Sequence, residues 1–379
     1  MHNGNDSFAK PMHNGRWQAA VNLATEMCRT KALTSVALAS GTANTVEGPV
    51  HLGWQAPETT VPLREDALFL VASITKPIVA TGVLLLVERG LLTLGDRVTD
   101  VIPEFGRNGK HSVEIRHLLT HTSGLPDMLP DNIELRQAHA PLSRFVERTC
   151  EESLTFPPGR GVQYQSMGFT ILGEIIARIT GRSCADFLQQ ELFKPLGMND
   201  TWLGVPDEWF EDDALQTSRI TTVHVPAEHL DGSTWNWNSR YWRQLGAPWG
   251  GLLVTARDLA TFAQFLLRGG TNRAGCRLLS PAAIAAATRN QLSAMRDVPG
   301  DERRCRPWGL GWRLNWPAHS ANFGDLLGPN TFGHWGATGT VLWIDPDQRS
   351  FAVILTTTPQ EPVGHSLSRL SNMIAAAWC

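Results

Sequence analysis

Lysine and tyrosine are scarce in this chain of 379 residues. It has five lysines (Lys10, Lys31, Lys76, Lys110, Lys194) and two tyrosines, Tyr164 and Tyr241, against fourteen each of tryptophan and phenylalanine. Arginine supplies the other positive charges and stays protonated in proteins, so a cation that must give up a proton has to be one of those lysines. Long apolar runs are missing too: Ile78 to Val87 falls well short of the about 20 residues that span a bilayer. The segment Met1 to Arg16 is rich in Asn, Gly and His with no apolar centre, which excludes a signal peptide and predicts a disordered leader over 1–15. Unless a leader was removed upstream, the expected compartment is the cytoplasm. The net charge is −3 and no block of like charge occurs, so neither nucleic acid nor an anionic membrane is an expected partner. None of the six cysteines forms a C-x-x-C pair; the even count permits disulfides, but free buried thiols are expected in a chain this long. There is no G-x-S-x-G elbow and no P-loop, which argues against an α/β-hydrolase or a nucleotide enzyme.

The apolar periodicity predicts a helix from Arg16 to Lys31 and strands over Ser35–Ala39 and Pro49–Trp54. A short apolar run, Leu68 to Ala72, leads into a helix expected to start at Ser73 and stop at Gly90, with Pro77 in its first turn. Helices are predicted over Ile115–Leu119, Leu142–Thr149, Met167–Thr180 and Cys184–Leu192. Residues 203–249 read as an irregular insertion or lid, with Trp209, Trp235, Trp237, Trp242 and Trp249 either lining a cleft or packing the segment itself. Helices over Ala256–Leu267 and Pro281–Arg289 precede strands over Trp308–Trp316, Thr331–Trp335, Thr340–Ile344 and Ser350–Thr357, then a last helix from His365. Strands at both ends with helices between predict an α/β domain from 16–72 and 246–379, into which a mostly helical domain, 73–245, is inserted.

Three short segments carry candidate chemistry. In Ser73-Ile74-Thr75-Lys76 the amine can reach the hydroxyl one helical turn away and, if burial neutralises it, accept the hydroxyl proton. The alternative is a helix-capping serine with a solvated lysine. Ser7-Phe8-Ala9-Lys10 has the same spacing but lies in the polar leader, with no core to hold it. Tyr164, in Tyr164-Gln165-Ser166, follows a Pro-Pro-Gly turn and precedes a helix, so its phenol can project into a cleft and relay a proton, or simply be a half-buried ring. The glycine-rich stretch Phe332 to Gly339, with His334, Trp335, Gly336 and Ala337, can offer a backbone N–H to a substrate carbonyl, or be a packed strand and turn. His117 and His121 sit four apart, but the H-E-x-x-H glutamate is absent, and no metal or cofactor is expected.

Taken in order, these segments resemble the S-x-x-K, Y-x-N and K-T-G or H-x-G elements of the serine β-lactamase and penicillin-binding-protein superfamily. Ile115 to Leu125, Leu196-Gly197-Met198 and Gly250-Gly251-Leu252 are similar to stretches of its class C-like branch, which includes family VIII carboxylesterases, D-aminopeptidases and DD-carboxypeptidases. The resemblance implies an antiparallel sheet flanked by helices with the helical domain inserted. It makes Ser73 the nucleophile, Lys76 its base and Tyr164 the proton relay, with the oxyanion between the N–H groups of Ser73 and Ala337. Ser166, His334, Trp335 and Gly336 fall at substrate-binding positions. Two departures stand out: Ser166 replaces the usual asparagine, and His334, which partial protonation would charge, replaces the lysine of K-T-G. A fixed cation for a substrate carboxylate is therefore missing. The expected activity is hydrolysis of small esters through an acyl-serine, with D-amino-acid peptides or β-lactams as alternatives, and an inactive binding homologue as the non-enzymatic one.

Overall fold

The computed structural model describes residues 12–211, 214–225, 227–315, 321–360 and 365–378. Nine strands are labelled in chain order: β1 (Ser35–Thr42), β2 (Val46–Gly53), β3 (Phe69–Leu70), β4 (Thr201–Leu203), β5 (Leu252–Val254), β6 (Arg313–Leu314), β7 (Phe332–Gly336), β8 (Thr340–Asp345) and β9 (Ser350–Thr356). Six of them form one antiparallel sheet in the order β2-β1-β9-β8-β7-β6, so the first strand of the chain pairs with the last. The other three form a small sheet, β3-β5-β4.

Every residue of β1 is buried, so the large sheet is covered on both faces there. The two-residue period of a strand sorts its side chains. Val36 and Leu38, with Val341, Trp343 and Ile354 from β8 and β9, meet the helices Asn14–Arg29 and Ser366–Ala376. Ala37 and Ala39, with Leu342, Ile344 and Val353, face the helix Ala256–Leu267 and a core that continues through the helical middle of the chain. Burying an aliphatic side chain stabilises by about 1.5–3 kcal/mol, and this shared core fixes the helices against the sheet.

Several predicted bounds shift for local reasons. The first helix begins at Asn14, inside the predicted leader, because His13 caps it by accepting the Arg16 N–H on Nδ1. The expected strand Trp308–Trp316 is reduced to Arg313–Leu314 and a single bridge from Trp308, since Gly311, at φ +76°, turns the chain between them; Trp316 lies outside the described residues. The Cys184 helix ends at Leu188 and widens into a π turn over Gln189–Phe193. Among the described residues within 203–249, three short α-helices form, Glu208–Glu211, Ala214–Ser218 and Arg240–Leu245, with a 3-10 turn over Ala227–His229. Among the described residues no helix is long and apolar enough to cross a membrane, and the five described cysteines are free.

Candidate active site

The site is assembled where β3 ends against the β7–β8 turn. Val71 N–H donates to the Leu252 carbonyl at 3.0 Å, Thr338 Oγ1 to the Leu70 carbonyl at 2.6 Å, and Thr340 Oγ1 to the Val71 carbonyl at 3.1 Å. Close approach is possible because Gly336 has no side chain: a Cβ there would collide with the Val71 carbonyl and the Thr340 hydroxyl. Between these anchors Ala72 takes a left-handed φ of +45°. The helix therefore does not start at Ser73 as predicted. A 3-10 turn, Ala72–Ile74, carries the serine, and the α-helix runs Thr75–Glu88. A non-glycine residue in that region costs about 1–2 kcal/mol, strain of the kind that gathers at functional turns. Ala72→Gly is expected to stabilise the fold by up to about 1 kcal/mol, the glycine's greater unfolded-state entropy offsetting part of the relief. Urea unfolding of the two proteins measures it.

Lys76 is wholly buried, which rules out the solvated-lysine reading. Its Nζ donates to Ser73 Oγ at 3.1 Å and to the Trp249 carbonyl at 2.8 Å. Burial brings its pKa down to about 7; Asp127 opposes that shift and Arg313 adds to it. Near neutral pH the amine thus exists in both forms beside a serine hydroxyl, the condition for a general base.

Tyr164 lies over this amine, its ring centre 4.7 Å from Lys76 Nζ. The tyrosine is held by the chain that follows it. Gln165 N–H donates to His121 Nδ1 at 3.0 Å, and the Gln165 side chain donates to the carbonyls of His117 and Leu118 and accepts from Ser123. The His121 ring packs 4.7 Å from Tyr164 and 4.1 Å from Trp308. His121 has a φ of +60° and lies beyond the helix Ile115–Leu119, so it shares no helical face with His117. Among the described residues no group of His, Cys, Asp and Glu is placed to hold a metal. Ser166 N–H donates to the Asp127 carboxylate at 2.8 Å, just before the helix Met167–Thr180.

A cavity of about 450 Å³ brings together Ser73, Tyr164, Ser166, Trp335 and Ala337. His334 and Gly336 do not line it. His334 is fully buried, Nδ1 lies 2.7 Å from the Trp335 carbonyl, and its ring faces Tyr164. Burial, with the Arg313 and Lys76 charges nearby, holds its pKa well below 6.5. The partial protonation expected from sequence is therefore corrected: this imidazole is neutral. So is the expectation that the site lacks a fixed cation. Two arginines line the cavity: Arg313, whose guanidinium stacks 3.6 Å from the Trp335 ring centre, and Arg136, on the far shorter helix Asn132–Gln137. Neither carries a local sequence signal. Asp127, two residues beyond the Thr122-Ser123-Gly124-Leu125 stretch, is the first cavity residue that extending that stretch would have found.

Known proteins extend this picture. The Beta-lactamase family profile matches residues 25–375. The chain is 31% identical to "Penicillin-binding protein 4" of Amycolatopsis lactamdurans over 91% of this chain and 86% of that protein. It is 30% identical to "Esterase EstB" of Burkholderia gladioli, covering 81% of each. Among solved structures, a penicillin-binding protein homologue from Caulobacter crescentus superposes with a TM-score of 0.78 at 24% identity, over 96% of this chain and 97% of that one. A family VIII carboxylesterase superposes with a TM-score of 0.76 at 21% identity, over 96% and 99%. These structures share the fold, an antiparallel sheet flanked by helices.

Proposed function

Because the chain belongs to the β-lactamase family of serine hydrolases, we propose that it hydrolyses small esters through an acyl intermediate on Ser73. The observation that carries this reading is the buried Lys76 amine, poised near neutrality 3.1 Å from Ser73 Oγ. Neutral Lys76 takes the hydroxyl proton as Oγ bonds to the substrate carbonyl carbon. The oxyanion gathers between the N–H groups of Ser73 and Ala337. Tyr164 passes the proton from Lys76 to the departing alcohol as the C–O bond breaks, leaving acyl-Ser73. Water, deprotonated by the same amine, then attacks the acyl carbon and returns the serine. Esters are preferred over β-lactams because Ser166 stands where an amide serves β-lactam hydrolysis. D-amino-acid peptides are the second reading, favoured by the two arginines in the cleft.

A fluorophosphonate probe tests the mechanism: one adduct, mapped by peptide mass spectrometry to Ser73, is expected, together with turnover of short p-nitrophenyl esters faster than nitrocefin or D-alanyl peptides. An adduct elsewhere, or none, overturns it, and the inactive-homologue reading takes its place.

The same reading fixes a pH dependence. A base whose pKa is about 7 makes kcat/KM rise with pH through that value, as the protonated fraction falls. Arg313 disfavours the protonated amine, so Arg313→Met is expected to move this limb to higher pH. Asp127 favours it, so Asp127→Asn is expected to move the limb lower. Shifts in the same direction for both variants would contradict the assignment of the limb to Lys76.

A further inference from the structure

Arg136 is 3% exposed, yet no carboxylate pairs with it among the described residues. Its Nε and Nη2 both donate to one acceptor, the Trp235 carbonyl, at 3.3 and 3.1 Å, and Nη1 makes no hydrogen bond among the described residues. The guanidinium lies over the rings of Trp242, at 4.4 Å, and Trp235, at 5.1 Å. Elsewhere in the fold a comparably buried arginine is neutralised: Arg219 bonds Asp200 at 2.5 Å and Asp66 at 3.2 Å. The carboxylate that lines the same cavity, Asp127, has Oδ1 taken by the Ser166 N–H and forms no pair with Arg136. A desolvated guanidinium is costly unless a counter-charge meets it, and its planar donors match a carboxylate. Burial holds the Arg136 pKa at about 10, so the charge persists at neutral pH.

The position of Arg136 says which part of a substrate it meets. Tyr164, which delivers the proton to the leaving group, is surrounded by Arg313, Trp308 and His334. Arg136 shares no ring with that group. It reaches the reacting centre through Trp242 and Trp249, whose rings are 6.1 Å apart and of which Trp249 holds Lys76 by its carbonyl. With the leaving group on the Tyr164 side, the tryptophan wall is the side left for the retained acyl chain. We propose that Arg136 is an anion-binding subsite for the acyl portion, and that the preferred substrates are esters of acids bearing a second, distal carboxylate. This rests on the acyl-serine reading.

Two esters with one leaving group and equal chain length test it, p-nitrophenyl hemiglutarate and p-nitrophenyl valerate. The wild-type chain is expected to favour the hemiglutarate in kcat/KM by about ten-fold or more, the order of one charge-assisted contact. Most of that preference should appear in KM. Arg136→Gln should bring the ratio to about one and Arg136→Lys restore part of it. A wild-type ratio near one, or a ratio that survives in the glutamine variant, overturns the subsite while leaving the hydrolase intact. Should Arg136→Gln fail to fold, the wild-type ratio decides by itself. Should neither ester turn over, binding of monomethyl glutarate, read by tryptophan fluorescence of the wild-type chain, decides instead. Binding without turnover keeps the subsite and overturns the hydrolase; the absence of both overturns both.

Discussion

Lys76→Arg is expected to be as inactive as Lys76→Ala, each lowering ester turnover by about a thousand-fold or more, within the range that general-base loss produces. Arginine preserves the charge and nearly the length of lysine, so the pair of variants separates two roles. If the cation merely stabilised the transition state, the arginine enzyme would keep much of its rate. If the group must receive the Ser73 proton, arginine cannot serve, because its conjugate base is out of reach at working pH. The surroundings support the second role. Nζ has two acceptors, Ser73 Oγ and the Trp249 carbonyl, and among the described residues no carboxylate within bonding distance to hold it protonated. Steady-state rates with a neutral p-nitrophenyl ester measure the effect, and circular dichroism confirms the variants are folded. An arginine enzyme with a tenth of the wild-type rate would make the base assignment wrong.

Ser73→Ala has the other large effect: turnover and covalent labelling should both vanish, a loss of about 10⁵-fold or more on the scale of nucleophile removal in serine hydrolases. The fold should survive, because Ser73 is partly exposed, its carbonyl serves the turn, and the strain at Ala72 is held by Thr338, Thr340 and Leu252 rather than by the serine hydroxyl. Removing the hydroxyl also frees the Lys76 amine from one of its two acceptors without exposing it. Retained turnover would show that another group attacks the substrate. Ser7→Ala, in the polar N-terminal stretch, serves as the matched control with no effect expected.

What could be read from sequence was what depends on neighbours in the chain. The helix bounds 115–119, 167–180 and 256–267 agree with prediction because the signals are local: Gly181 in a left-handed C-cap, and the Thr255 hydroxyl accepting from Asp258 N–H. The approach of Ser73 to Lys76 follows from three-residue spacing even though the turn beneath it is 3-10. What could not be read depends on residues distant in sequence. His334 was assigned a possible charge, whereas its burial against Lys76 and Arg313 decides its protonation. Arg136 and Arg313 were indistinguishable from the many other arginines until Trp235, Trp242 and Trp335 were in place around them. The Trp249 carbonyl is invisible in any motif, since every residue has one.

The pairing of β1 with β9 has a consequence for how the protein is made. On the ribosome Ser73 and Lys76 emerge well before β7, β8 and β9, and pairings of such sequence separation form slowly. Until they do, β3 lacks the threonine hydroxyls that anchor its end, and the Ser73 turn lacks its facing strand. A Lys76 still in contact with water at that stage has the ordinary basicity of an aqueous amine, and burial lowers it only as the core closes. On the acyl-serine reading proposed above, Ser73 therefore gains its activating amine only once these strands have paired.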